Sequence, residues 1–537
     1  MTTGYLTCAE LVELVTEYLE EALVLDERAR FEEHIMTCPP CRAHLDQMRR
    51  TVELLGRLPT DSLTPNAEQE LRVMNFDLIV IGAGSAAREA AARAVTDHGA
   101  SVALIERERW GGQCPNVACK PTKQYVSAAE LVHDVNTVAA EIGIEVGRAR
   151  AVLERVKARK DWLVGSQEAW LQRFEDAGFN PIAGEAAFVD AHTVRVDGRE
   201  LTADRILIAT GSRTALPPVD GLDQVPWVDH IGALELSELP VSLLVLGAGA
   251  VGLELAQVFA RFGSQVTIVE GAPRIAVRSD ADVAAELEAA LVDDGIDVIT
   301  NTFVAKAERD RGETVVTLAP RDGSPQRTIR VEQILVASGR QPNVETLGLD
   351  RLGVEHSRAG IAVDEHMRTS VEGIWATGDV TATIQLTPVA SYQAQVAVDD
   401  MFGDGTRVAD YSAIPVAIFT DPELAQVGLT EDEAREQGFE VETVSYAARD
   451  LLRPYYLTRQ QDTPRGLIKL VFERGSRRLL GLHIATRAAG ELIQGFAVAM
   501  RLGATVDDIA LGHYAFPTHG EGVHYAAEAA LAAATVT

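Results

Sequence analysis

Asp77-Leu-Ile-Val-Ile81-Gly82-Ala-Gly84-Ser-Ala-Ala87 is the stretch that decides the fold. The apolar run ending at Ile81 predicts a buried strand, and the alanine-rich sequence beyond Gly84 predicts a helix. A second strand, Ser101-Val-Ala-Leu-Ile105, ends at Glu106. Glycines at Gly82 and Gly84, with small Ala87 at the third position, let the backbone turn tightly and approach a phosphate group. The helix N-terminus then favours the phosphate's negative charge. Glu106 lies about twenty residues on, where a carboxylate can accept ribose hydroxyl protons. The order strand, glycine loop, helix, strand, acid is that of a dinucleotide-binding unit.

The same order recurs. Gly247-Ala-Gly249-Ala-Val-Gly252 follows the apolar run Leu243–Leu246, and the next strand, Val266–Val269, ends at Glu270. A lone glycine fingerprint is weak evidence, but two in full context imply a duplicated α/β architecture with parallel sheets. Past about Tyr411 the pattern becomes strands first, then helices, which predicts a separate α+β domain.

The chain has 537 residues, enough for three to four domains. It is 47% hydrophobic and 24% charged, which excludes disorder as the main state. Its 49 basic and 79 acidic residues give a net charge of −30. That field repels nucleic-acid phosphates and anionic lipid, so neither nucleic acid nor membrane is expected as a partner. The apolar stretch Leu243–Ala260 is broken by three glycines and Glu254 and reads as strand, loop and helix. The N-terminus has no basic start and no apolar signal core, so a cytoplasmic location is expected.

Five cysteines are present: Cys8, Cys38, Cys41, Cys114 and Cys119. The last two sit in Trp110-Gly-Gly112-Gln-Cys114-Pro-Asn-Val-Ala-Cys119-Lys-Pro-Thr-Lys123. Read alone, two cysteines five apart suit a structural crosslink, half a metal site or a redox disulfide. The lack of a neighbouring Cys or His argues against metal. A redox pair at a helix start fits better, because a helix N-terminus lowers a thiol's pKa.

At these residues the chain resembles the class I pyridine nucleotide-disulfide oxidoreductases, from about Asn75 to the C-terminus. Further motifs carry the resemblance: Ile208-Ala-Thr210-Gly211-Ser212, Ala337-Ser-Gly339-Arg-Gln-Pro-Asn343, Ile374-Trp-Ala-Thr-Gly-Asp379 and Phe419-Thr-Asp-Pro-Glu-Leu-Ala-Gln-Val-Gly-Leu-Thr-Glu431. The resemblance implies FAD and NAD(P)H as cofactors and a homodimer in which one subunit's C-terminal segment completes the other's site. It implies that Asp379 binds the FAD ribityl chain and that Lys123 and Glu254 pair beside the flavin. By family position, Cys119 is the flavin-proximal thiolate and Cys114 the thiol that meets a small-molecule or metal-thiol electron acceptor.

The expected organisation is a helical zinc-binding domain at 1–60, a linker at 61–73 and the first part of an FAD domain at 74–230. An NAD(P) domain follows at 231–345, then the rest of the FAD domain at 346–408 and a dimerisation domain at 409–537.

One departure from the family narrows the chemistry. Disulfide-reducing members carry His-Pro-Thr near the C-terminus, with a glutamate five residues after the histidine. This chain reads His513-Tyr-Ala-Phe516-Pro-Thr518-His519-Gly-Glu521-Gly522. Phenylalanine cannot shuttle protons; Glu521 remains, and His513 or His519 stands near enough to substitute. Mercuric reductases also lack that histidine and end this motif Thr-x-x-Glu-Gly, as here. The segment Ala489-Gly-Glu-Leu-Ile-Gln494 resembles their interface as well. Soft Hg(II) needs thiolates rather than a proton donor. Mercuric reductases, however, carry a vicinal cysteine pair near their C-terminus, and the last cysteine here is Cys119. Lipoamide dehydrogenase or another disulfide reductase is the alternative enzyme.

Cys8, then His34-x3-Cys38-x2-Cys41, supplies four zinc-competent ligands. Leu11, Leu14, Val15, Tyr18 and Leu19 recur at helical spacing around them. A domain of about sixty residues has a small core and gains from such a staple. The segment resembles the zinc-finger domain of anti-sigma factors. This raises a regulatory alternative, in which a flavin module is wired to a domain that binds a protein partner such as a sigma factor.

Overall fold

The structure, a computed structural model, describes residues 73–534 and, nearer the N-terminus, residues 11, 14–15, 18–19, 23, 25–38, 41–42, 45 and 48–49. It divides into two compact units, Met1–Met74 and Asn75–Thr537.

In the first unit, Leu11, Leu14, Val15, Tyr18 and Leu19 are helical, as their spacing predicts. A second helix runs Leu25–Thr37, and residues 41, 42, 45, 48 and 49 are helical again. Leu11, Val15, Phe31, Cys41 and Leu45 are buried together, and the Tyr18 ring stacks on Phe31 at 4.2 Å. Among the described residues this core is a handful of side chains, and a small core is the condition under which a metal staple matters most. The linker expected at 61–73 lies outside the described residues, Val73 excepted.

The second unit is built on a duplicated sheet. The first is five-stranded and parallel, in the order Ile374–Ala376, Ile206–Ile208, Leu78–Ile81, Val102–Glu106, Asn180–Ala183. The second follows the same plan: Trp227–Val228, Gln333–Val336, Ser242–Leu246, Gln265–Val269, Asp297–Ile299. Leu78–Ile81 is buried throughout, as a parallel strand covered on both faces must be. Ala87, Ala90, Ala91 and Ala94 pack the helix Ser85–His98 into that core.

The second sheet is an insertion in the first domain. The chain leaves through Ser212–Thr214 and returns through Arg340–Pro342, and these segments pair antiparallel, Thr214 opposite Arg340. The Thr-Gly-Ser and Gly-Arg-Gln-Pro-Asn motifs, far apart in sequence, are therefore two sides of one crossover.

The C-terminal region is a five-stranded antiparallel sheet, in the order Val416–Ile418, Glu423–Gly428, Leu479–Thr486, Leu467–Glu473, Val441–Ala447. Helices Ala489–Arg501 and Glu521–Ala534 cover it. It departs from strands-then-helices: a helix, Glu431–Glu436, and two short 3-10 helices, Ala448–Asp450 and Arg453–Leu457, interrupt the strands. The start of Glu431–Glu436 is a reciprocal capping box between Thr430 and Glu433, which satisfies two backbone donors. Among the described residues, no helix is long and apolar enough to cross a membrane.

Candidate active site: two glycine loops and a cysteine pair

The two glycine loops are built alike. Gly82 and Gly247 adopt φ of +113° and +105°. A Cβ on the first would collide with the Ala209 carbonyl, and on the second with the Ala337 carbonyl. Glu106 accepts from Ala83 N at 3.0 Å, and Glu270 accepts from Ala248 N at 2.7 Å. Each acid thus ties the end of the second strand back to its glycine loop. The other oxygen of Glu106 accepts from the N–H groups of Arg107 and Glu108, and that of Glu270 from Ala272 N. Gly249 is the N-cap of the second loop's helix, and Gly252 lies so close to the Gly247 carbonyl that no side chain fits there. Ala87, in the corresponding place of the first loop, is fully buried.

A single groove runs from the first glycine loop past Glu106 to Cys114, Thr210, Gly211 and Asp379. Gly112, at φ +74°, packs its Cα face against Gly84, where a Cβ would come within 2.5 Å of the Gly84 Cα. This contact holds the cysteine loop against the phosphate loop. The glycine cradle, the helix N-terminus and the carboxylates beside it fit a dinucleotide lying along the groove.

Cys119 is the first residue of the helix Cys119–Thr137, and Cys114 sits in the single turn Gln113–Asn116 before it. Both are free thiols and hydrogen-bond each other. The Cys114 thiol is lowered to about 6, first by the hydrogen bond from Cys119 and then by Thr387, Arg88 and Lys123. Cys119 is pushed up by the same hydrogen bond and by burial. Such a pair titrates as a unit: one proton leaves easily and the other is retained between the two sulfurs. Thr387 Oγ1 lies 3.8 Å from Cys119 Sγ. Sequence reasoning did not single out Thr387, because its approach to the thiols is purely tertiary.

Lys123 lies one helical turn beyond Cys119, and its Nζ donates to both oxygens of Glu254, at 3.0 and 2.7 Å. Glu254 is buried and also accepts from Phe419 N at 3.0 Å, while the Phe419 ring lies 4.5 Å from the ammonium. The structure therefore brings together the lysine and glutamate that the resemblance paired.

Asp379 accepts from Ser212 Oγ at 2.7 Å. Arg340 donates through Nε to the same hydroxyl, at 2.7 Å, and through a terminal nitrogen to Gln113 Oε1, at 2.6 Å. Thr210 Oγ1 donates to Asn343 O, and Asn343 Nδ2 returns a bond to Thr210 O. Ser212, Arg340 and Gln113 all lie within or beside quoted motifs, yet the network joining them to Asp379 has no local sequence signal. Gly211, at φ +66°, and Gly339, at φ +133°, flank the crossover.

At the C-terminal segment, Phe516 is 72% exposed in the isolated chain, so a large apolar ring stands at the position of the acid–base histidine. Glu521 is buried and turned inward: it accepts from Thr518 N at 2.7 Å and Tyr525 OH at 3.1 Å. His519 is half-buried, and burial, followed by Arg453 and Arg487, lowers its pKa to about 4. It is neutral near pH 7. His513 is exposed.

In the N-terminal unit, the ligand atoms of His34, Cys38 and Cys41 lie within 4.8 Å of one another. This is a zinc-type donor set, one imidazole and two thiols, at the end of the helix Leu25–Thr37. Cys8, the fourth expected ligand, lies outside the described residues.

Comparison with known proteins agrees with this geometry. A family model described as "Pyridine nucleotide-disulphide oxidoreductase" matches residues 76–394, and its dimerisation domain matches 414–527. A "Putative zinc-finger" model matches residues 8–42. The chain is 32% identical to a mercuric reductase of Staphylococcus aureus over 531 residues, covering 97% of this chain and 95% of that protein. It is 36% identical to a dihydrolipoyl dehydrogenase of Geobacillus stearothermophilus over 466 residues, covering 85% and 96%. Among solved structures, it is similar to a Cu(II) complex of the HOCl-induced flavoprotein disulfide reductase RclA from Escherichia coli. That match has a TM-score of 0.75 at 29% identity, covering 85% of this chain and 99% of that one.

Proposed function

The chain belongs to the pyridine nucleotide-disulphide oxidoreductases, an FAD- and NAD(P)H-using family with a dimerisation domain, and from that premise we propose that its electron acceptor is a soft metal ion delivered as a thiolate complex, Hg(II) above all. When bound, FAD supplies two-electron exchange between the nicotinamide and the cysteine pair. The net reaction balances as NAD(P)H + Hg(II) → NAD(P)+ + H+ + Hg(0).

The residues have the following roles in this reading. The first glycine loop and Glu106 hold one dinucleotide, and the second loop and Glu270 hold the other. Asp379, positioned by Ser212 and Arg340, orients the polyol of the first. Lys123, fixed by Glu254, supplies a cation near the cysteine pair. Cys114 presents a thiolate, and Cys119 retains or gives the second proton. Two thiolates bind a soft cation well, and no proton donor is required of the site. In the homodimer, the partner's C-terminal segment completes the acceptor pocket.

The observation that carries this reading is Phe516. A disulfide acceptor must be protonated as it leaves, and phenylalanine cannot do so. The half-buried His519, neutral and tucked beside Arg453 and Arg487, is a poor replacement. The mercuric reductase relatives support the same choice.

The test is NAD(P)H oxidation by the FAD-loaded protein with Hg(II) in excess small thiol, against lipoamide and glutathione disulfide. Turnover that needs Hg(II) supports the proposal. Efficient disulfide turnover without metal overturns it and restores the disulfide-reductase alternative. The Cu(II) complex of the structural relative makes Cu(II) the second metal to try.

The zinc-type cluster favours a second reading, in which residues 1–60 serve a protein partner, such as a sigma factor, beside the enzymatic activity. Redox-dependent capture of that partner by the full chain tests it.

A further inference from the structure

Of the two cations near Cys114, one is already committed. Lys123 is shared with Glu254, which takes both of its short contacts. Arg88 is not neutralised in this way. It lies in the first turn of the helix Ser85–His98, immediately after the glycine loop. Its Nε is buried with no hydrogen-bond partner among the described residues, and its terminal nitrogen makes only a long bond to Ser85 Oγ, at 3.3 Å. The neighbouring Glu89 is engaged elsewhere, by Arg93 at 2.8 Å and Gln395 at 3.0 Å.

The packing directs Arg88 towards the cysteine loop. Its guanidinium stacks over Trp170, 5.1 Å from the ring centroid. That ring closes on Gly111, where a Cβ would come within 2.7 Å of it. Gly112, next in sequence, rests on Gly84, so the start of the Arg88 helix and the approach to Cys114 are in contact. Ser85 and Ala86 line the dinucleotide groove and Arg88 does not. A half-buried guanidinium with a free donor, outside the cofactor groove and packed through Trp170 on the cysteine loop, favours an anion there.

We propose that Arg88 is the positioning charge for the Cys114 thiolate: stacked on Trp170, it stabilises the anion of the sulfur that meets the acceptor. This rests on the reading of Cys114 as the acceptor-side thiol. The charges agree with the geometry: Arg88 lowers the Cys114 thiol, and burial of Arg88 is opposed first by the Cys114 charge and then by Glu89, which makes no ion pair with it. The other groups facing Cys114 are Cys119 and Lys123 from the helix Cys119–Thr137 and the neutral Thr387 hydroxyl. Arg88 is thus the one cation among these groups without a carboxylate partner.

The test uses the FAD-loaded full-length protein, reduced with a water-soluble phosphine so that the thiols are available whatever NAD(P)H does. Alkylation of Cys114 is followed by peptide mass. In Arg88→Met, alkylation by iodoacetamide near pH 6 slows about fivefold, the effect at that pH of a one-unit rise from an apparent pKa of about 6. The rate ratio of anionic iodoacetate to neutral iodoacetamide falls as well. Arg88→Lys keeps both within about twofold of wild type, because it keeps the charge while changing the shape. A merely structural role for Arg88 would not move the reagent ratio. An unchanged pH profile and ratio in Arg88→Met overturns the proposal. Failure of NAD(P)H to expose the same two thiols instead strikes the functional reading and leaves the Arg88 result standing.

Discussion

Lys123, on the cysteine-bearing helix, reaches Glu254, on the helix that follows the second glycine loop, at 2.7 Å. The bond links the two nucleotide-binding halves at their closest functional point. Glu254→Ala leaves both Lys123 and Phe419 N without an acceptor. The expected loss is about 1.5–3 kcal/mol, the range for hydrogen bonds to charged groups. Denaturant unfolding measures it, and Glu254→Gln recovers part of it. Reduction by NAD(P)H, followed by stopped flow, slows in both variants.

The cysteine pair predicts a pH dependence with a definite sign. In the reduced enzyme, the Cys114 thiolate is present above about pH 6 and is lost as pH falls through that value. Cys119→Ala removes the largest cause of the lowering. The Cys114 thiol should then return towards about 8.5, and its alkylation at pH 7 should slow by more than about tenfold. Spectra separate the roles further. If Cys119 is the flavin-side thiolate that the family position implies, rather than the sulfur that keeps the proton in this structure, Cys119→Ser abolishes the long-wavelength thiolate-to-flavin band of the two-electron-reduced enzyme, and Cys114→Ser retains it. The opposite pattern reverses the assignment of the two sulfurs.

Nicotinamide preference should tilt to NADH. Glu270 places a carboxylate where a ribose 2′-OH is welcome and a 2′-phosphate is repelled. Arg274, four residues on, cannot readily relieve this, because its guanidinium is spent on the carbonyls of Ala276 and Val277, both at 3.0 Å. The ratio of kcat/KM for the two nucleotides decides the point. A strong preference for NADPH refutes it.

Phe516→His should raise turnover of lipoamide or glutathione disulfide. A general acid contributes on the order of 10²–10⁴-fold. The restored histidine stands five residues before Glu521. Glu521 is held by Thr518 N and Tyr525 OH, so the gain should fall below the full range unless Tyr525→Phe frees the carboxylate.

Zinc should be separable from the flavin chemistry. In the full-length protein, Cys38→Ser or Cys41→Ser removes a ligand of the His34 cluster. Metal content should fall from about one zinc per chain, and the first unit should lose stability, since structural zinc supplies folding energy. FAD content and NAD(P)H oxidation should persist. Loss of turnover with FAD still bound would instead make these cysteines participants in electron or metal transfer.

What was legible in the sequence was whatever local rules govern. Each glycine loop needs its strand, turn and acid within about twenty residues, and the Cys119 to Lys123 spacing is one turn of helix. The helix Glu431–Glu436 is equally local, and Thr430-x-x-Glu433 is its signature in the sequence. The rest depended on the fold. Ser212 and Asp379 are 167 residues apart, and Arg340 is 128 from Ser212. Arg88 reads as an ordinary polar position on an alanine-rich helix, and only the packing of Trp170 on Gly111 ties it to the cysteine loop.

The crossover at Thr214 and Arg340 has an engineering consequence. Chain entry and exit stand side by side, so everything between them is a cassette whose two ends meet at one seam. Segments with adjacent ends tolerate exchange well. A nucleotide module from an NADPH-using relative, spliced at that seam, could carry its coenzyme preference into this chain. Cys114, Cys119 and Lys123 would stay as they are, while the graft must reproduce Glu254, which meets Lys123, and the buried contacts of Arg261 with Asp421 and of Asp280 with Lys469.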